Sequence, residues 1–197
     1  MVKLDRLVMT NFKSFSGKVS IPFTKNLSMI CGPNGAGKSN IMDAITFVIG
    51  TPRAKSIRAD KLINLIFNGG RERKPADWCE VSMYLDNNDG QIPGEKEIKI
   101  TRRITRSGVS IYKFNGKTVN RAKIVDILAN VNISPDGHNI IMQGDVTRVI
   151  EMSPMERREI IDEISGISEF DDKKEKARRE LEIVDSKVRE MIIIVTE

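Results

Sequence analysis

The chain has 197 residues, enough for one ordinary domain with a sizeable core. Lys and Arg number 32 against 27 Asp and Glu, a formal net charge of +5, which suits a polyanionic partner without requiring one. No apolar run approaches the roughly 18 residues a membrane-crossing helix needs, and Cys31 and Cys79 are too few for a disulfide framework. A soluble, cytoplasmic chain with no membrane partner is therefore expected.

Residues 2–9 read as an opening strand and 18–22 as a second, with a polar turn over 11–17 between them. An apolar stretch at 27–31 reads as a buried third strand. It runs directly into Gly32, Pro33, Asn34, Gly35, Ala36, Gly37, Lys38 and Ser39, a complete G-x-x-x-x-G-K-[ST] run. Residues 40–49 follow with Ile41, Ile45, Val48 and Ile49 at helical spacing. Strand, glycine loop and helix form the setting this motif needs. Glycines allow successive N–H groups to turn inward on phosphate oxygens, and the helix N-terminus adds its dipole. In such a loop Lys38 reaches the β- and γ-phosphates, and the Ser39 hydroxyl ligates Mg²⁺.

Gly50 and Pro52 stop the helix, and residues 53–61 form a polar, strongly basic loop. A short apolar segment at 62–67 closes on Asn68-Gly69-Gly70, a turn signature. The middle of the chain then alternates. Cys79, Val81, Met83 and Leu85 share one side of a strand, and residues 97–105 and 109–114 repeat the pattern. Asn115-Gly116 is a strong hairpin signal. An antiparallel subdomain over about 76–120 is expected, followed by a helix over 121–131.

The last third reads as charged helix. Ser153, Pro154 and Glu156 supply an N-cap, a first-position proline and an acidic first turn. Ala177, Leu181, Val184, Val188, Met191 and Val195 alternate spacings of four and three, the a and d positions of a heptad repeat. The repeat reaches the last residue without a cap, so the sequence reads as cut mid-element, with the coil's partner strand elsewhere.

Several landmarks fall in one order. Asn11-Phe-Lys-Ser-Phe15 precedes the phosphate loop and Asn40, and Arg58-Ala59 precedes Leu65-Ile-Phe-Asn-Gly69. Ile133-Ser-Pro-Asp-Gly137, Gln143-Gly-Asp145, Met152 to Arg158 and Asp162-Glu-Ile-Ser-Gly166 follow. Over essentially its whole length the chain resembles the N-terminal half of the ATPase head of a prokaryotic SMC (structural maintenance of chromosomes) protein. The resemblance implies an α/β fold: an ABC-type P-loop ATPase half-head with an antiparallel β subdomain and the root of a coiled coil. Its N-terminal lobe would cover 1–152, and 153–197 would form the helical exit and the start of an antiparallel coiled coil.

The resemblance also implies how such a head works. The C-terminal half carries the signature motif, the Walker B acid and the catalytic glutamate. Two heads sandwich two ATP molecules, so binding joins the heads in a dimer and hydrolysis separates them. Expected partners are the C-terminal half of the same head, a second SMC head, a kleisin-type subunit and DNA bound without sequence preference. A nucleoid-associated role in chromosome condensation and segregation follows. Expected cofactors are ATP and Mg²⁺, the metal held by Ser39 and Gln143. Lys38 and Gln143 carry the catalytic expectation, since a glutamine amide presents its carbonyl oxygen to Mg²⁺ or to the attacking water. Lys13, Ser14 and Asn40 match positions at or beside the nucleotide. Leu65 and Ile66 match a segment near the adenine. Arg58 matches an arginine that reaches phosphates or contacts DNA.

Other signals have simpler readings. Ile160-Ile161-Asp162-Glu163 imitates a Walker B strand end, yet Arg157, Arg158 and Glu159 before it and Ile164 after it continue a helical spacing. Ile164-Ser165-Gly166 lacks the second glycine of an ABC signature. His138, the single histidine, has no Cys or second His nearby and reads as a loop residue. The Asp162-Glu163 and Asp171-Asp172 pairs read as solvated helix faces. Lys55, Arg58, Lys61, Arg71, Arg73 and Lys74, with Arg102, Arg103 and Arg106 on the expected sheet, form a basic cluster fit for phosphate contacts. The rivals are the head of a coiled-coil DNA double-strand-break repair ATPase, a self-contained P-loop kinase or GTPase, and a structural coiled-coil adaptor. No Asn/Thr-Lys-x-Asp guanine motif is present, and the intact loop speaks against a pure adaptor.

Overall fold

The alternating segments pair into one antiparallel sheet rather than two. The computed structural model describes residues 2–23, 27–50, 58–70, 73–92, 95–131, 133, 140–141, 152–164, 174, 177–188 and 191. Strands β1 (Lys3–Phe12), β2 (Phe15–Pro22), β3 (Trp78–Asp86), β4 (Glu97–Thr105), β5 (Ser110–Phe114) and β6 (Lys117–Val119) run in the order β2-β1-β3-β4-β5-β6. The first two strands thus join the sheet expected only for the middle of the chain.

Side-chain parity explains the core. Leu7 and Met9 on β1, Cys79, Val81, Met83 and Leu85 on β3, and Ile98, Ile100 and Ile104 on β4 all point to one face and are buried. Register shifts between Thr10 and Phe12, with Asn11 at φ 51°, so that Phe12 turns inward after Met9. Helix α1 (Lys38–Ile49) packs Ile41, Ala44, Phe47, Val48 and Ile49 into this core. The Phe12 and Phe47 rings meet at 5.5 Å and 45°. Helix α2 (Arg121–Ala129), capped by the Asn120 side chain on the Lys123 amide, adds Ile124 and Leu128. Asn115 (φ 45°) and Gly116 (φ 81°) make the turn between β5 and β6 that their dipeptide predicts.

The strand expected before the phosphate loop does not form among the described residues. Residues 27–31 form no strand; Leu27 is 87% exposed, Met29 85% and Ile30 42%. A buried parallel strand needs neighbours on both edges, and this sheet's partners are all antiparallel and lie elsewhere.

Residues 1–140 and 141–197 are separate compact units. In the second, α3 (Pro154–Ile164) opens on a capping box: the Ser153 amide donates to Glu156 at 2.8 Å and the Glu156 amide to Ser153 Oγ at 3.3 Å. Residues 160–163 are helical, which removes the strand a Walker B acid would need. Residues 177–188 are helical too, and Leu181, Val184 and Val188 are exposed along them. No helix among the described residues is long and apolar enough to cross a membrane.

Candidate nucleotide site

The phosphate loop is shaped by its own lysine. Lys38 Nζ donates to the carbonyl oxygens of Gly32 at 2.7 Å and Pro33 at 2.8 Å, closing the loop into a ring. The Ala36 amide reaches Pro33 O at 3.3 Å across the turn. Gly37 then enters α1 at φ 91°, as an N-cap with no side-chain hydrogen bond and no acid in the first turn. An uncapped helix start carries partial positive charge and outward N–H groups, an anion site by construction. Gly37 is required twice over. Its φ is left-handed, and a Cβ there would lie 2.9 Å from Ser14 Oγ and 3.3 Å from the Phe15 ring.

That contact brings the β1–β2 turn to the loop. Lys13 and Ser14 form the turn, with Lys13 left-handed at φ 46°. Ser14 Oγ accepts a hydrogen bond from Asn40 Nδ2 at 2.8 Å, tying the turn to the first turn of α1. The Lys13 amide donates to Leu65 O at 2.7 Å. Beside Ser14 opens a cavity of about 380 Å³, lined by Ser14, Phe15, Ser16, Val19, Phe67, Gly69 and Arg73. It is an open depression rather than an enclosed cavity, with an aromatic wall, two hydroxyls and one guanidinium.

Lys13 and Arg58 converge on a residue that sequence reasoning did not single out. Asp43, fully buried on α1, accepts from Lys13 Nζ at 2.6 Å and from both Nε (3.1 Å) and an Nη (2.6 Å) of Arg58. The same Arg58 nitrogen donates to Ser39 O at 2.7 Å. Its signal was present: Asp43 is the one acid of the helix, four residues past Ser39 and set among Ile41, Met42, Ala44 and Ile45. Lys13, Arg58 and Lys38 together outnumber this single carboxylate, so the described groups leave the loop region positive.

The remaining candidates separate. Leu65 and Ile66 are buried in the core, at 0% and 3% exposure, so their side chains face inward; Ile63 is the exposed apolar residue of that 3₁₀ turn (Leu62–Leu65). Gln143 and His138 lie outside the described residues, as do Lys55 and Arg71 of the basic cluster. Arg102 leaves that cluster altogether. It is 3% exposed, donates to Phe47 O at 2.9 Å and Ser110 Oγ at 3.1 Å, and stacks on the Phe47 and Tyr112 rings. Burial pushes its guanidinium below the ordinary value. Arg103 stacks on Trp78 at 3.8 Å, and Arg106 donates to Ala76 O at 2.7 Å.

The family described as RecF/RecN/SMC N terminal domain matches residues 3–176. The chromosome partition protein Smc of Pyrococcus furiosus is 46% identical over all of this chain, which covers 17% of that relative. That of Aquifex aeolicus is 40% identical over 94% of the chain, covering 16% of the relative. The chain thus spans about a sixth of the length of the curated relatives it matches. Among solved structures, the Smc head domain of Pyrococcus furiosus, with an extended coiled coil and bound to the C-terminal domain of ScpA, is 46% identical at a TM-score of 0.87. The match covers 100% of this chain and 50% of that one. A chain solved for the structural biochemistry of ATP-driven dimerization and DNA stimulated activation of SMC ATPases is 47% identical over 82% of this chain and 98% of that one, with a TM-score of 0.77.

Proposed function

Because the chain belongs to the RecF/RecN/SMC N-terminal domain family, we propose that it is the ATP-binding N-terminal half of an SMC head that engages a second head and takes part in chromosome partition. One observation carries this reading: an uncapped helix start meets a lysine-closed glycine loop, with Lys13 and Arg58 held one turn away. Residues 32–39 would hold the phosphates of ATP, and the open pocket beside Ser14 would take the nucleoside. Lys38 would exchange the neutral Gly32 and Pro33 carbonyls for the charged β- and γ-phosphates. Leu65 and Ile66 support the adenine side from within the core, without side-chain contact. Arg58, held on Asp43 and Ser39 O, would add its positive charge beside the phosphates.

The hydroxyl of Ser39, exposed in the first turn of α1, is the hard oxygen ligand that Mg²⁺ favours. Ser39 and Gln143 would hold that ion, which neutralises charge on the phosphates. Phosphoryl transfer depends on positioning and charge stabilisation. The residues here bind and orient, while the base and the signature-motif contacts come from the C-terminal half and from a second head. The exposed Leu27, Met29 and Ile30 support this division, since they offer an unpaired apolar edge to strands of the C-terminal half. The exposed heptad residues Leu181, Val184 and Val188 do the same for the returning coil. The N-terminal lobe then spans 1–152, and 153–197 starts the coil.

A kleisin-type subunit and non-sequence-specific DNA complete the assembly. One solved relative is bound to a domain of ScpA, and another is described by DNA-stimulated activation. Exposed Lys61, Arg73 and Lys74, with the exposed Arg58 and Arg106 that also bond within the chain, are described members of the basic cluster within reach of phosphates. Such a protein works at the nucleoid in the cytoplasm. The likeness to RecF, at 22% identity and a TM-score of 0.54, concerns the fold alone. Equilibrium binding of ATP to the chain tests the reading. Micromolar binding that Lys38→Ala weakens at least tenfold supports it; binding indifferent to Lys38→Ala overturns it.

A further inference from the structure

We propose that Asp43 is a positioning residue for the nucleotide site: one buried carboxylate anchors both cationic segments that flank the phosphate loop. The inference rests on the nucleotide-binding reading above. Asp43 is 0% exposed, and Oδ2 alone takes Lys13 Nζ and an Arg58 nitrogen, each at 2.6 Å. Its two partners come from different parts of the chain, 30 residues before it and 15 after it. Both stand in left-handed backbone, Lys13 at φ 46° and Arg58 at φ 50°, which a non-glycine residue keeps only when its surroundings fix it.

Two lines run from Asp43 to the loop. Through Lys13 the carboxylate sets the turn that places Ser14 Oγ on the Asn40 amide and against Gly37. Through Arg58 it sets a guanidinium that also holds Ser39 O, in the residue whose hydroxyl is the proposed Mg²⁺ ligand. Core packing does not call for a charge at this place. A well-packed apolar residue in a buried ion-pair position is commonly neutral or stabilising for the fold. What an apolar residue cannot do is hold two cations at fixed positions beside a phosphate site. Removing the charge frees both cationic side chains from their shared carboxylate, while the Lys13 amide keeps Leu65 O and Arg58 keeps Ser39 O, so the cationic contributions to binding are coupled through one anchor.

The test measures affinity for a fluorescent ATP analogue with Mg²⁺, alongside far-UV circular dichroism and thermal unfolding. Variants are Asp43→Asn, Lys13→Met, Arg58→Met, the two doubles with Asp43→Asn, and Lys38→Ala. The expected result is a folded Asp43→Asn protein that binds at least tenfold more weakly. In its background, Lys13→Met and Arg58→Met each add less than twofold, although each weakens binding alone. Wild-type affinity of Asp43→Asn, or fully additive losses in the doubles, overturns the proposal. If Asp43→Asn does not fold, Asp43→Glu decides, because it keeps the charge and displaces it. Restored fold with weakened binding supports a positioning role, whereas restored affinity, or failure of both variants to fold, overturns it. Should Lys38→Ala bind as tightly as wild type, the nucleotide reading itself has failed. If only that variant loses binding, the fault lies with Asp43 alone.

Discussion

The guanidinium of Arg102 lies 4.4 Å from the Phe47 ring centre and donates at 2.9 Å to the Phe47 carbonyl, one of the last four of α1. Carbonyls in that last turn have no partner within the helix, and a cation there also meets the negative end of the dipole. Arg121 repeats the arrangement one step on, donating to Gly50 O at 2.6 Å. Strand β4 and helix α2 thus each send an arginine to the far end of the helix that starts at the phosphate loop.

Arg102→Ala opens a cavity and leaves the Phe47 carbonyl unsatisfied. Urea unfolding is expected to show a loss of about 2–4 kcal/mol. Arg102→Lys recovers only part of it, since an ammonium lacks the planar stack on Phe47 and Tyr112. A loss below about 0.5 kcal/mol, the usual size of a surface substitution, would count against this helix-end role.

Gly37→Ala places a methyl group against Ser14 Oγ in backbone that alanine avoids. The turn and the loop must separate. ATP affinity is expected to fall at least tenfold, while local strain costs about 1–3 kcal/mol of stability. Titration calorimetry and thermal unfolding on the same sample check both numbers. Retained affinity would show that the Ser14 contact is dispensable.

Cys79 gives the stability a pH dependence. Burial pushes its thiol from 9.0 up to about 12, against the opposing charge of Arg102. The folded chain keeps this proton where the unfolded chain releases it, so stability declines as pH rises above 9.0 and is unaffected below. Tyr112, raised by burial from 10.0, adds to the decline only later. Cys79→Ala should therefore lower stability at neutral pH yet flatten its fall between 9.0 and 10.0. An unchanged slope in urea midpoints across that interval would contradict this assignment.

The exposed segment before the phosphate loop makes a fourth prediction. Cys31 is exposed and follows Leu27, Met29 and Ile30. Iodoacetamide should alkylate Cys31 and spare Cys79 in the chain alone, and the C-terminal half of the head should protect Cys31. Equal labelling of Cys31 with and without that half would remove the proposed docking of strands at this edge.

How much of this was legible in the sequence varies by element. The Asn115-Gly116 hairpin, the N-cap at Ser153 and the limits of β4 (Glu97–Thr105) followed from local turn and cap chemistry and from period-two alternation. Residues 27–31 misled because an apolar run reports burial somewhere, not burial within this chain. Arg102 read as surface charge although its parity with Ile98, Ile100 and Ile104 assigns it to the core face. Lys13 and Arg58 matched nucleotide-facing positions by motif, yet both bond to Asp43, a pairing across 30 and 15 residues that no local pattern encodes. The turn of the glycine loop into α1 was legible because its spacing acts within eight residues, whereas the strand expected before it did not form among the described residues.

In the function proposed above, this chain supplies the phosphate clamp and the C-terminal half of the head completes the hydrolytic site. Phosphate release from ATP and Mg²⁺, measured for the chain alone and after mixing with the C-terminal half of its own head, tests it most directly. The account predicts little release by the chain alone and turnover on mixing that Lys38→Ala abolishes. Equally fast release by the chain alone, or turnover on mixing that survives Lys38→Ala, would contradict it.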